Sequence, residues 1–193
     1  MQIAYIGMGG NIPSSAGPPE ATLIAALRRL GSLGRIAAAS SLYSTEPVGY
    51  ADQPRFVNAV VAIETAQTAR QALESLLCIE RAFGRDRSAA IKDGPRTLDL
   101  DLLMMDDLVL HEEGLDLPHP RLTERLFVLA PLAEIAPDLV VPSIGKSVKE
   151  LLQRLTSDKT RNAVLPLHSD QWRAGAGGDS SARPDARDAD GHR

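Results

Sequence analysis

Short apolar runs alternate along the chain with longer segments in which leucines recur every three or four residues. Residues 2–8 form an apolar run ending in glycines, which reads as a first strand. Gly9, Gly10, Asn11 and Pro13 read as the loop after it. Pro18 and Pro19 stand where a helix can begin, and Leu23, Ile24, Leu27 and Leu30 follow at helical spacing. This predicts an amphipathic helix over about residues 19–31.

The pattern predicts a second strand over residues 36–45, and a loop over 46–55, where two prolines and a glycine interrupt it. Residues 56–64 are rich in valine and alanine and read as a third strand. Thr68 is placed to cap a helix whose buried face holds Leu73, Leu76, Leu77 and Phe83 and which Gly84 ends. A polar loop over 85–95 leads to an alternating strand over 97–105, and 107–111 offers another strand. Residues 117–125 are broken by prolines and precede an apolar stretch over 126–135. Val148, Leu151, Leu152 and Leu155 predict a last helix, and residues 162–167 a returning strand. Strand, helix, strand, strand, helix, strand is the order of an α+β fold: a ferredoxin-like antiparallel sheet with helices packed on it, plus extra C-terminal elements.

From residue 169 the character changes. The final 25 residues contain no Leu, Ile, Val or Phe, too little apolar surface to offset the entropy of ordering. The expected organisation is one domain over 1–168 and a disordered tail over 169–193. The 193 residues, 44% hydrophobic and 24% charged, suit a single globular core. A net charge of −4 gives no reason to expect a nucleic-acid or membrane partner. The lone Cys78 can form neither an internal disulfide nor a cysteine-based zinc site. The N-terminus lacks the basic region of a signal peptide, and no apolar run reaches the length of a membrane span. A cytoplasmic monomer is the expectation.

The sharpest chemical signal is Arg96-Thr97-Leu98-Asp99-Leu100-Asp101-Leu102-Leu103. On a strand Leu98, Leu100 and Leu102 point one way and Asp99 and Asp101 the other, with the two α-carbons ~6.6 Å apart. Paired hard oxygen ligands suit Mg²⁺, which takes one or two carboxylates together with phosphate oxygens and water. Alone, the pair equally fits the polar face of a half-buried strand. Arg85, Arg87, Lys92 and Arg96 crowd the segment around the preceding loop, and arginine forks neutralise and orient phosphate. A carboxylate pair beside such a loop is what phosphoryl transfer requires, although a charge run by itself also fits a solvated loop. Glu80 lies one turn before Gly84; it either faces the same site or is an ordinary surface glutamate. His119 sits between Pro118 and Pro120, held stiffly enough to donate to a phosphate, or simply at the surface. Arg125 and Phe127 offer a phosphate contact and an apolar wall. Phe56 and Asn58 share a strand face and pair a ring with an amide, as a flat hydrogen-bonding heterocycle needs; in isolation they fit a core phenylalanine and a satisfied amide.

Familiar nucleotide motifs are not met. Gly145-Lys146-Ser147 ends like a phosphate-binding loop, but Val140 stands where its first glycine belongs. Gly7-Met8-Gly9 begins a dinucleotide fingerprint that Ile12 breaks.

Taken together, these segments resemble the hydroxymethyldihydropterin pyrophosphokinases of folate biosynthesis. The residues that carry the resemblance are Ala4-Tyr5-Ile6-Gly7 with Gly9-Gly10-Asn11, the run from Ser41 through Thr45-Glu46-Pro47-Val48-Gly49, and Asp52-Gln53-Pro54 with Phe56 and Asn58. They continue in Gly84-Arg85-Asp86-Arg87, Gly94-Pro95-Arg96-Thr97-Leu98-Asp99-Leu100-Asp101, and Pro118-His119-Pro120-Arg121 with Glu124, Arg125 and Phe127. The resemblance implies transfer of pyrophosphate from ATP to the hydroxymethyl group of a dihydropterin, with release of AMP. It implies that Asp99 and Asp101 bind two Mg²⁺ ions and that Arg85 and Arg96 act on the transferring diphosphate. Glu80, Arg87, His119 and Arg125 would hold ATP, and Thr45, Val48, Phe56, Asn58 and Phe127 the pterin. Loops around residues 9–16, 46–55 and 85–94 would close over the substrates. The chain departs from the family at Gly10, where serine is usual, and at Asp93, where tryptophan is common. A noncatalytic ferredoxin-like binding module and another Mg²⁺-dependent phosphotransferase are the alternative readings.

Overall fold

The computed structural model describes residues 1–86, 93–157 and 164–175. Its centre is an antiparallel sheet built from β1 (Gln2–Gly10), β2 (Arg35–Ala39), β3 (Leu42–Thr45), β4 (Phe56–Thr65), β5 (Asp99–Met105) and a last strand near the C-terminus, Val164–Leu167. Two hairpins lie outside it, β6 (Leu110–Glu112) with β7 (Leu115–Leu117) and β8 (Val140–Val141) with β9 (Lys146–Ser147). The C-terminal strand is therefore β10, and the sheet runs β10-β3-β4-β1-β5, with β2 also paired to β4.

Helices cover both faces. Helix α1 (Pro19–Leu30) starts with proline in its first turn and ends with Arg28 and Arg29, charges suited to its C-terminal dipole. Helix α2 (Ala69–Ala82) begins at a capping box, in which Thr68 and Gln71 satisfy each other's backbone amides. These two helices bury Leu23, Leu27 and Leu76 against Ala4, Ile6 and Met8 of β1. On the opposite face, α3 (Leu126–Ile135) and α4 (Val148–Ser157) pack Val128, Leu129, Leu132 and Leu151 against Val60 and Leu103. No described helix is long and apolar enough to cross a membrane.

Three expectations change. Gly9 and Gly10 belong to β1, because both pair with β4 and Gly9 also pairs with Asp99 of β5. The strand expected over 36–45 divides at Ser40 and Ser41, where the register slips by one residue between Ala39↔Val61 and Tyr43↔Asn58. Within the tail expected to be disordered over 169–193, a helix α5 (Asp170–Gly175) forms, and residues 176–193 lie outside the described residues. Trp172 of this helix is only 2% exposed and belongs to the core beneath α1.

Candidate active site

Three strands set the site by register. Gly9 lies opposite Asn58 of β4 on one side and Asp99 of β5 on the other. Gly7 lies likewise between Val60 and Asp101. Two rows of side chains therefore flank a glycine stripe on the face that α3 and α4 only partly cover. A Cβ at Gly9 would stand 2.6 Å from the Asn58 Oδ1, so the glycine lets the amide lie across the strand. At Gly10 a Cβ would stand 2.4 Å from the Thr97 carbonyl oxygen, so any side chain here would require that backbone to withdraw.

Above this floor is a cavity of about 300 Å³, near the lower end for small-molecule sites. It is lined by Thr45, Val48, Phe56, Asn58 and Phe127 at one side and by Arg96, Asp99, Asp101 and Arg125 at the other. The expected pterin residues thus come together with the expected metal ligands. Asn58 donates its amide to the Thr45 hydroxyl over 2.7 Å, and both are buried.

The carboxylates meet arginines. Arg96 Nη1 donates to Asp99 Oδ2 at 2.8 Å, and Arg85 Nη2 lies 3.5 Å from Asp99 Oδ1. Arg125 Nη1 donates to Asp101 Oδ2 at 3.1 Å. The guanidinium of Arg96 also lies 5.1 Å from the Phe56 ring centre, and that of Arg125 lies 5.6 Å from the Phe127 ring. Each aromatic wall is thereby coupled to a cation. The Nε atoms of Arg85 and Arg125 are buried and have no partner among the described residues, which suits them to an anionic oxygen.

His119 stands beside this cluster. Burial is the main cause pushing its imidazole below the ordinary value, with Asp101 opposing and Arg125 and Arg121 adding to the lowering. Its Nδ1 accepts from the Arg121 amide at 3.1 Å, leaving Nε2 as the donor of the neutral ring.

Glu80 does not face the cavity. It is 1% exposed, and its Oε1 accepts the Leu100 amide at 2.8 Å, so it braces the outer side of β5 from α2. Arg87 and Lys92 lie outside the described residues. Several contributors had no assigned role in the sequence. Asn11, 3% exposed, accepts the Arg96 amide and donates to Gln53 and the Pro54 carbonyl, tying the end of β1 to the loop over 46–55. Asp93 lines the mouth, 3.8 Å from Arg121. Leu155 and Val164 add walls from the C-terminal elements. Only Asn11 carried a local sign of this, a polar residue that follows two glycines at the end of an apolar strand.

The donor set fits Mg²⁺. Among the described residues no group of three or more His, Cys, Asp or Glu could cage a metal. Two adjacent carboxylates facing a phosphate-sized, arginine-lined space leave the remaining positions to phosphate oxygens and water, which is the habit of that ion.

Comparison with known proteins agrees. A curated 2-amino-4-hydroxy-6-hydroxymethyldihydropteridine pyrophosphokinase from Methylorubrum extorquens is 44% identical over 157 residues, 80% of this chain and 94% of its own. The enzyme of that name from Pseudomonas aeruginosa is 41% identical, over 79% of this chain and 91% of its own. A crystal structure of a Plasmodium falciparum HPPK-DHPS mutant shares the fold, with a TM-score of 0.65 at 16% identity, over 81% of this chain but 44% of that longer one. The profile of the family described as 7,8-dihydro-6-hydroxymethylpterin-pyrophosphokinase matches residues 5–137, and the chain belongs to that family.

Proposed function

We infer that the cavity is the active site of the family's reaction. The chain is an ATP-dependent pyrophosphokinase of folate biosynthesis: it transfers pyrophosphate from ATP to the hydroxymethyl group of 6-hydroxymethyl-7,8-dihydropterin and releases AMP. The observation that carries the site is the row in which Gly9 separates Asn58 from Asp99, setting the amide that would hold a heterocycle two strand spacings from the carboxylate pair.

In our reading the pterin lies between Phe56 and Phe127, with Val48 over it and with Asn58 and Thr45 at its edge. That places the hydroxymethyl oxygen toward Asp99 and Asp101. Its attack on the β-phosphorus forms the new P–O bond, and the bond to the α-phosphate oxygen breaks to release AMP, with no covalent enzyme intermediate. Asp99 and Asp101 would hold Mg²⁺, two ions in this proposal, which when bound neutralises phosphate charge. Arg96 and Arg85 stabilise the negative charge of the transferring diphosphate, where fixed cations outside bulk water act most strongly. Arg125 and the Nε2 donor of His119 hold the ATP phosphates, and Arg87 remains assigned to them as well. Closure of the loops around residues 9–16, 46–55 and 85–94 would exclude water. We assign the sheet, with its split second strand counted once, to the ferredoxin-like arrangement. We also propose a cytoplasmic monomer acting on small molecules, without nucleic-acid or membrane partners.

The test is AMP release from ATP and Mg²⁺ with and without the pterin alcohol. AMP formation that requires the alcohol, and that Asp99→Asn abolishes while the circular dichroism stays native, is the expected result. AMP release independent of the alcohol, or an active Asp99→Asn, refutes it and favours another phosphotransferase.

A further inference from the structure

We propose that Trp172 is a positioning residue for the pterin end of the cavity. The inference rests on the assignment of the Phe56–Phe127 slot to the pterin. It concerns an arm, Val164 to Gly175, that lies beyond the residues matched by the family profile.

The arm touches the site at one end and is anchored at the other. β10 pairs with β3 in the register Val164↔Thr45, and both of these residues line the cavity. This pairing is weak in itself. β10 has four residues, and Pro166 opposite Tyr43 has no amide to give to the ladder. The hold comes from α5, where the buried Trp172 donates its indole Nε1 to the Ser40 carbonyl at 2.6 Å.

Ser40 is well placed to transmit that hold. Its amide donates to the Val60 carbonyl at 2.9 Å, and its hydroxyl accepts the Val60 amide at 3.0 Å. Val60 lines the cavity beside Asn58. From the next residue, the Ser41 amide and hydroxyl donate to Glu134 of α3, at 2.9 and 2.8 Å, and the Tyr43 hydroxyl joins them at 2.9 Å. Helix α3 carries Phe127 in its first turn. One junction therefore links the indole to Thr45 and Phe127, two of the proposed pterin residues, and to Val60 of the cavity floor. Among the described residues no such link runs to Arg96 or Asp99, which depend on β1, β5 and Asn11, and Asp101 is reached only at one remove, through Gly7 of β1 and through Arg125 at the start of α3.

Release of the indole should loosen pterin binding and spare ATP. Coupling is reciprocal, so pterin binding must in turn tighten the arm. Trp172 is the chain's single tryptophan, so its own emission reports this. The experiment uses the full chain and titrates hydroxymethyldihydropterin and a nonhydrolysable ATP analogue into Trp172→Ala, Trp172→Phe and Phe127→Ala. Trp172→Ala should weaken the pterin roughly tenfold and the analogue less than about twofold, the scale of one lost buried hydrogen bond and its packing. Trp172→Phe, which keeps a ring in the core, should recover part of the loss. In the unmodified protein, pterin should lower the acrylamide quenching slope of the Trp172 lifetime, and the ATP analogue alone should leave it unchanged. Equal loss of both ligands in Trp172→Ala, or no loss of either, overturns the proposal. So does a quenching slope indifferent to pterin, and this measurement decides the matter if the alanine variant does not fold. If Phe127→Ala also binds pterin normally, the slot assignment has failed, and the proposal fails with it.

Discussion

Gly9→Ala offers a sharp test of the site, because the structure names the atom that must move. The new Cβ would lie 2.6 Å from the Asn58 Oδ1, closer than non-bonded atoms can approach. The obstacle is a side-chain end, so the protein can turn the amide aside and stay folded. Turning it breaks the 2.7 Å bond to Thr45 in a buried setting. That costs about 0.5–1.5 kcal/mol, which lowers the melting temperature of a chain of this size by a few degrees. In the proposed pterin placement the binding penalty is larger, since a displaced amide would leave the pterin edge unpaired at about 1–3 kcal/mol, or roughly 5–150-fold in affinity. ATP, which in the proposed arrangement does not use Asn58, should bind nearly as before. Titration calorimetry on Gly9→Ala, Asn58→Ala and the double variant completes a cycle. In the Asn58→Ala background the methyl has no amide to displace, so the double variant should bind pterin within about twofold of Asn58→Ala alone. Additive losses would show that the methyl blocks the ligand directly and would refute the reasoning.

Arg96→Ala and Arg85→Ala should lower kcat by more than they weaken the pterin, because their charge acts where the transferring diphosphate is most negative; steady-state kinetics beside pterin titration checks this, and a change in pterin affinity alone contradicts it. Tyr43 has its phenol pushed up to about 12, first by burial and then by its hydrogen bond to Glu134. A raised folded value means stability fully present below about pH 10 and lost as pH rises through 12, so denaturant melts of Tyr43→Phe should lose less stability over that window than the parent. An identical alkaline loss in both proteins would remove Tyr43 as a cause.

Much of the site was legible because it lies on strands. Alternation in Leu98-Asp99-Leu100-Asp101-Leu102 sets the carboxylates on one face without knowledge of the partners, and Phe56 and Asn58 follow the same rule. What escaped depends on pairing between distant segments. Gly9 looks like a turn residue until two neighbouring strands extend β1 past it. Trp172 stood in a segment with too little apolar character to order itself, and its partner Ser40 is 132 positions away. Glu80 faces inward because an edge strand on the adjacent layer presents an amide to it, a need that no helix-face pattern reveals.

That last contact bears on self-association. β5 is the outermost strand on its side of the sheet, and an outermost strand offers unpaired amides on which another polypeptide can grow. This strand cannot be shortened or broken by proline, because it carries both aspartates. A carboxylate from the helix behind it occupies the Leu100 amide from within the same molecule. The molecule thus keeps the strand of Asp99 and Asp101 at its rim with two edge groups already engaged from within, the Leu100 amide by Glu80 and the Leu103 carbonyl by the His119 amide, and so withheld from a neighbouring chain.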